Sequence, residues 1–133
     1  MAAATEINIS PQAVNLTFRQ GTDVDQSILK MIWKAGGVAV DLEQWTARAG
    51  FATKLGETPL FSLTTAGGGI VLNEVHGQIE LKPSALQTNS ISPTLFKQGK
   101  LIGVWDVDMI SPTGKVRPFV AGIWTLNQDI KHV

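Results

Sequence analysis

Asp106 and Asp108 stand two residues apart in the run Gly103-Val104-Trp105-Asp106-Val107-Asp108-Met109, and on an extended strand that spacing turns both carboxylates to one face. Two neighbouring carboxylates are where a divalent-metal site or an acid–base couple begins. Neither a histidine nor a third carboxylate lies beside them in sequence, so the pair reads as the wet face of a strand. Asp23 and Asp25 form a second Asp-Val-Asp, without the glycine and closing glutamate of a calcium loop. His76 falls in a connection and His132 is the penultimate residue; histidines so placed make neither a triad nor a zinc site, which needs three or four convergent ligands. Gly67-Gly68-Gly69 lacks the following helix and Lys-Ser/Thr of a phosphate loop and reads as a hairpin turn. No catalytic, cofactor-binding or metal-ligating set emerges, and a protein that is not an enzyme and carries no cofactor is the expectation.

The remaining chemistry is aromatic. Trp33, Trp45, Trp105 and Trp124 all fall in segments that read as strands, where the default use of an indole is packing between sheets. An exposed ring beside Asp106 and Asp108 would instead suit a carbohydrate or a receptor. Tyrosine, heavily used by dedicated recognition loops, is absent. That bias favours permanent packing over reversible capture.

The elements that must hold these residues are strands. Residues 99–126 contain two long apolar-alternating runs joined by Ser111-Pro112-Thr113-Gly114, with Pro118 better suited to an edge or a strand start than to a central position. Val14, Leu16 and Phe18 alternate with polar residues, and Leu29, Met31 and Trp33 fall on one side of the next run with Lys30 and Lys34 on the other, before Ala35-Gly36-Gly37 reverses the chain. Trp45, Ala47, Ala49 and Phe51 share a face, residues 54–59 form a polar connection, and residues 60–64, 70–72 and 78–82 supply further short strands. The one helical candidate is 83–88, a connector. The pattern predicts an all-β fold, a single antiparallel β-sandwich, immunoglobulin-like or jelly-roll-like, of about eight strands. Its expected layout is an N-terminal arm over residues 1–13, the sandwich over 14–126 and a C-terminal tail over 127–133, the flexible arms free to order on a neighbour.

Composition narrows the partners. At 133 residues and 44% hydrophobic, the chain supports one domain with its own core. Eleven basic residues balance eleven acidic ones, so no long-range field steers it toward a polyanion or an anionic membrane. Charged residues make up only 17%, a surface that suits contact with other protein. Without cysteine the fold rests on its apolar core, and no apolar run of about 18 residues or secretory leader is visible.

Leu16-Thr17-Phe18-Arg19-Gln20-Gly21-Thr22-Asp23, then Ala35-Gly36-Gly37-Val38-Ala39-Val40-Asp41-Leu42 and Thr46-Ala47-Arg48, resemble the opening of small β-sandwich proteins of tailed bacteriophages. Gly77-Gln78-Ile79-Glu80-Leu81, residues 84–88, Val104-Trp105-Asp106-Val107 and Gly114-Lys115-Val116 are similar to their closing part. The pattern is that of the N-terminal domain of baseplate upper proteins and related phage tail proteins, with Trp105 where tyrosine is usual and no fibre or receptor-binding domain following. The resemblance implies a structural virion protein made in the host bacterial cytoplasm: an adaptor, a ring or sleeve subunit of tail or baseplate, or a decoration protein. Its implied partners are copies of itself, as a symmetric homo-oligomer, and other virion structural proteins, with no nucleic acid and no membrane.

Overall fold

The computed structural model describes residues 4–7, 12–21 and 29–128; Asp23, Asp25 and His132 lie outside them. The strands, in chain order, are β1 (Ala4–Ile7), β2 (Gln12–Ala13), β3 (Leu16–Arg19), β4 (Leu29–Ala35), β5 (Val38–Ala39), β6 (Thr46–Ala52), β7 (Phe61–Thr64), β8 (Ile70–Asn73), β9 (Gln78–Leu81), β10 (Lys100–Ile110) and β11 (Val116–Asn127). They form two sheets. One runs β1-β4-β9-β8 with β5 beside β4; the other runs β2-β11-β10-β6-β7 with β3 also on β11.

The fold is all-β, with more strands than the eight expected from alternation. The additional ones, β1, β2 and β5, span four, two and two residues, too few to display a period; pairing with a neighbour defines them. Nor is the pairing antiparallel throughout: β1 runs parallel to β4, and β2 and β3 run parallel to β11. The segment 1–13, read as an arm, thus carries ladder pairs to both sheets, Ala4–Ile7 along Lys30 to Trp33 and Gln12–Ala13 along Val120 and Ala121. At the other end Asn127 pairs with Lys100, and the Gln128 N–H donates to the Gly99 carbonyl at 2.8 Å, so the β11 ladder continues into the expected tail.

Alternation sets the core. Met31, Trp33, Ile79 and Leu81 from the first sheet and Phe51, Trp105, Val107, Met109, Trp124 and Leu126 from the second belong to one buried cluster. Phe51 is its hub, stacked on Phe61 and Trp105 at 4.6 and 5.8 Å and edge-on to Trp124 at 5.2 Å. In β11 the period breaks. Val107 faces Val120 but Asp108 faces Pro118, which leaves Phe119 as the extra residue of a β-bulge. Phe119 and Val120 are both buried as a result, and Phe119 reaches Trp33 of the other sheet at 5.2 Å. Pro118 sits where β11 has a partner on one side only, since its pairing with β2 begins at Val120.

Two connections depart from the sequence reading. The turn at 66–69 does not close a hairpin: β7 and β8 belong to different sheets, and the glycines carry the chain across. The helix α1 (Ala85–Asn89) begins two residues later than the 83–88 candidate, because Ser84 caps it. Ser84 Oγ accepts the Gln87 N–H at 3.0 Å while Gln87 Oε1 accepts the Ser84 N–H at 2.9 Å. Buried Thr88 then accepts the Gly21 N–H at 2.8 Å and ties the helix to the end of β3.

Candidate functional site

The two sheets differ on their outer faces. On the five-stranded sheet, Lys30 and Lys82 flank Glu80 at 3.9 and 3.7 Å, a half-buried charge row. On the six-stranded sheet the outward residues of β10 and β11 include Ile102 and Ile123, 63% and 50% exposed, with Val104 opposite Ile123 and Ala121 next along the same face of β11. Beside this patch lies a groove of about 370 Å³, floored by Gly50, Ala52, Val104 and Ala121 and walled by residues 54–57 and Pro59. Residues 54–59, read from sequence only as a polar connection, hold Leu55 at 90% exposure on the rim of that groove.

Asp106 lines the groove and Asp108 stands two residues further along the same face. Arg48, opposite Asp108 in the β10–β6 ladder, donates from Nε to Asp108 Oδ2 at 3.3 Å. The pair is largely exposed, so Arg48→Ala is worth less than about 1 kcal/mol. Burial, then repulsion from Asp108, raises the Asp106 pKa above the usual carboxylate range, against the lowering influence of the Gly50 N–H and Arg48. The folded protein therefore holds that proton to higher pH than the unfolded chain does. Stability from neutral Asp106 is present at acid pH and is lost as pH rises through the window just above 3.8. Asp106→Asn is expected to leave Tm at pH 7 equal to or a few degrees above the parent's, with the gap closing toward pH 3; thermal melts across that range check it.

Among the described residues no group of three or more His, Cys, Asp or Glu side chains is placed to hold a metal. Melting curves with calcium and with EDTA are expected to coincide, and a calcium stabilisation of several degrees would contradict that reading of the Asp pairs. His76 is exposed on a single 3₁₀ turn. The glycine turn satisfies itself: the Gly67 N–H donates to Thr64 Oγ1 at 2.9 Å and the Gly68 N–H to the Thr65 carbonyl at 3.2 Å.

Three of the four indoles are buried and the fourth is half-buried. Trp105, Trp124 and Trp33 are 2%, 0% and 6% exposed, and Trp45 is half-buried against Trp33. The Arg117 guanidinium sits 5.6 Å from the centre of the Trp33 ring. Sequence reasoning missed the residues that let the central indoles lie flat, Gly103 opposite Trp124 and Gly122 opposite Trp105. Only the strand pairing reveals those matches. No protein-family model and no curated protein matches the sequence.

Proposed function

We propose that the chain is a non-enzymatic structural protein of a tailed-bacteriophage virion that assembles as a symmetric homo-oligomer, in the tail or baseplate or as an adaptor or decoration subunit. In this reading its two sheets are a β-sandwich of immunoglobulin-like or jelly-roll-like kind that acts as a rigid body. The observation that carries the assembly reading is the inequality of the two outer faces. One carries the half-buried row of Lys30, Glu80 and Lys82 with Val71 opposite Glu80; the other presents Ile102, Ile123, Val104 and Leu55 around a groove floored by small residues. An apolar patch on a chain of zero net formal charge favours protein contact, with copies of itself and with other virion proteins. The same charge balance argues against nucleic acid or an anionic membrane as partner. The virion assignment rests on the phage-like string from Leu16 to Val116.

Light scattering of the purified protein tests the oligomer, and mass spectrometry of purified particles tests the location. A defined multimer whose mass falls on Ile102→Asp/Ile123→Asp supports the reading; a monomer at micromolar concentration, or a protein absent from particles, overturns it. The second reading, a carbohydrate- or receptor-binding module, is favoured by the groove beside Asp106, although three of the four indoles it would use are buried. Retention of the protein on a glycan array, abolished by Asp106→Ala, would carry it.

A further inference from the structure

The charges on the outer face of the six-stranded sheet do not all find partners within the chain. Arg48 is held by Asp108 and Lys54 by Glu57, at 3.3 and 3.6 Å. Among the described residues, no oppositely charged side chain lies within ion-pair distance of Asp106 or of Lys100. Both belong to β10, the middle strand of its sheet, and both face outward. Burial alternates without a break from Lys100 to Asp106, so Lys100, Ile102, Val104 and Asp106 stand in one row. The row runs cation, apolar, apolar, anion over about 20 Å, at roughly 3.3 Å per residue. Turned end for end, it is its own complement.

We infer that two copies of this chain pack face to face through this row, about a two-fold axis that crosses β10 between Ile102 and Val104, so that Lys100 of each copy meets Asp106 of the other and Ile102 meets Val104. The inference rests on the homo-oligomer reading and names its interface. A two-fold contact is isologous, so a surface can form one only where it matches itself turned round. This row does so, whereas two rows stacked parallel would set lysine on lysine and carboxylate on carboxylate. Ile102 is exposed, and exposed Ile123 stands opposite Val104 on β11, which gives the contact an apolar centre between its charged ends. Two sheets packed with their strands nearly aligned bury such side chains between them, and the ion pairs at either end fix the register. The groove wall leaves room for this approach. It rises beside Ala52 and Gly50, the register partners of Val104 and Asp106, so the axis brings the second copy's wall level with Ile102 and Lys100, alongside the first.

Charge reversal tests the axis as well as the face. Lys100→Glu sets the introduced carboxylate against Asp106 twice in each dimer, and Asp106→Lys sets the introduced ammonium twice against Lys100. Each variant alone is expected to weaken the dimer by more than about tenfold, read by light scattering across a dilution series. An equimolar mixture of the two is expected to restore it as a mixed dimer, because both contacts then join opposite charges; native mass spectrometry reads that composition. The Lys100→Glu/Asp106→Lys double variant carries both reversals in one chain and is expected to dimerise as the parent does. Circular dichroism and melts of every variant, taken at a dilution where all are single chains, are expected to match the parent's, since neither residue has an ion partner within the described chain. Single variants that keep the parent's mass, or a mixture or double variant that stays apart, overturn this interface. If the parent remains a multimer in that case, the homo-oligomer reading stands with its copies meeting elsewhere; a parent that is itself a monomer at micromolar concentration ends both.

Discussion

Trp124→Ala is expected to lower the unfolding free energy by about 3–5 kcal/mol, a large part of the roughly 5–15 kcal/mol available to a domain of this size. The side chain is fully buried, stacked on Phe18 at 5.9 Å and edge-on to Phe51 and Phe61 at 5.2 and 5.7 Å. Truncation removes transfer free energy and opens a cavity among rings that are themselves held by a rigid ladder and cannot collapse into it. A second loss follows, because Trp124 Nε1 donates to the Ala52 carbonyl at 2.9 Å. Trp124→Phe separates the two effects: it keeps most of the ring and orphans the carbonyl, at a cost of about 1–3 kcal/mol. Urea unfolding followed by far-ultraviolet circular dichroism gives both values without relying on the fluorophore being removed. A loss below about 1 kcal/mol for the alanine variant would mean that this cluster is not the centre of the core.

How far the molecule could be read from its sequence depended on whether a feature is local. Leu16 and Phe18, Met31 and Trp33, Ala47 to Phe51, and Leu101 to Met109 alternate over enough residues to show which face is buried, and the structure buries that face. The two-residue strands show no period, and the switch of sheets between β7 and β8 leaves no mark in a glycine turn that would serve a hairpin equally well. The bulge at Phe119 appears in sequence only as adjacent Phe119 and Val120, both apolar. At the candidate site, the shared face of Asp106 and Asp108 follows from their spacing alone. Their surroundings do not: Arg48 lies sixty residues away and meets Asp108 only because β6 pairs with β10, and the wall formed by residues 54–57 is a matter of how a loop folds back. Local periodicity specifies faces; neighbours across a sheet are specified by pairing, to which single-strand patterns are blind.

Gly122→Ala and Gly103→Ala are each expected to cost about 3 kcal/mol or more, although neither glycine has a left-handed backbone. The reason lies in a two-fold arrangement about the β10–β11 ladder. Trp124 on β11 lies over Gly103 of β10 to reach the Ala52 carbonyl at the end of β6. Trp105 on β10 lies over Gly122 of β11 to reach the Val14 carbonyl, at 2.8 Å, in the break between β2 and β3. Asn15 makes that break tolerable, since its Oδ1 accepts the Ile123 N–H at 3.1 Å in place of a backbone oxygen. A Cβ at Gly103 would fall far inside contact distance of the Ala52 oxygen and 2.6 Å from Trp124 Nε1, and a Cβ at Gly122 far inside contact distance of the Val14 oxygen. The alanine therefore forces a backbone carbonyl aside and breaks the indole hydrogen bond with it, adding the cost of a desolvated, unpaired donor to that of overpacking. Gly114→Ala is the control: its φ is 89° with nothing within 4 Å of the new Cβ, so only backbone strain of about 1 kcal/mol or slightly more is expected. The decisive measurement is a double-mutant cycle of Gly122→Ala with Trp105→Phe. With no indole N–H to satisfy, the Val14 carbonyl is free to turn away from the added methyl, so the double variant should lose less stability than the sum of the singles, whereas strict additivity would show that the glycine and the indole are not coupled through that carbonyl.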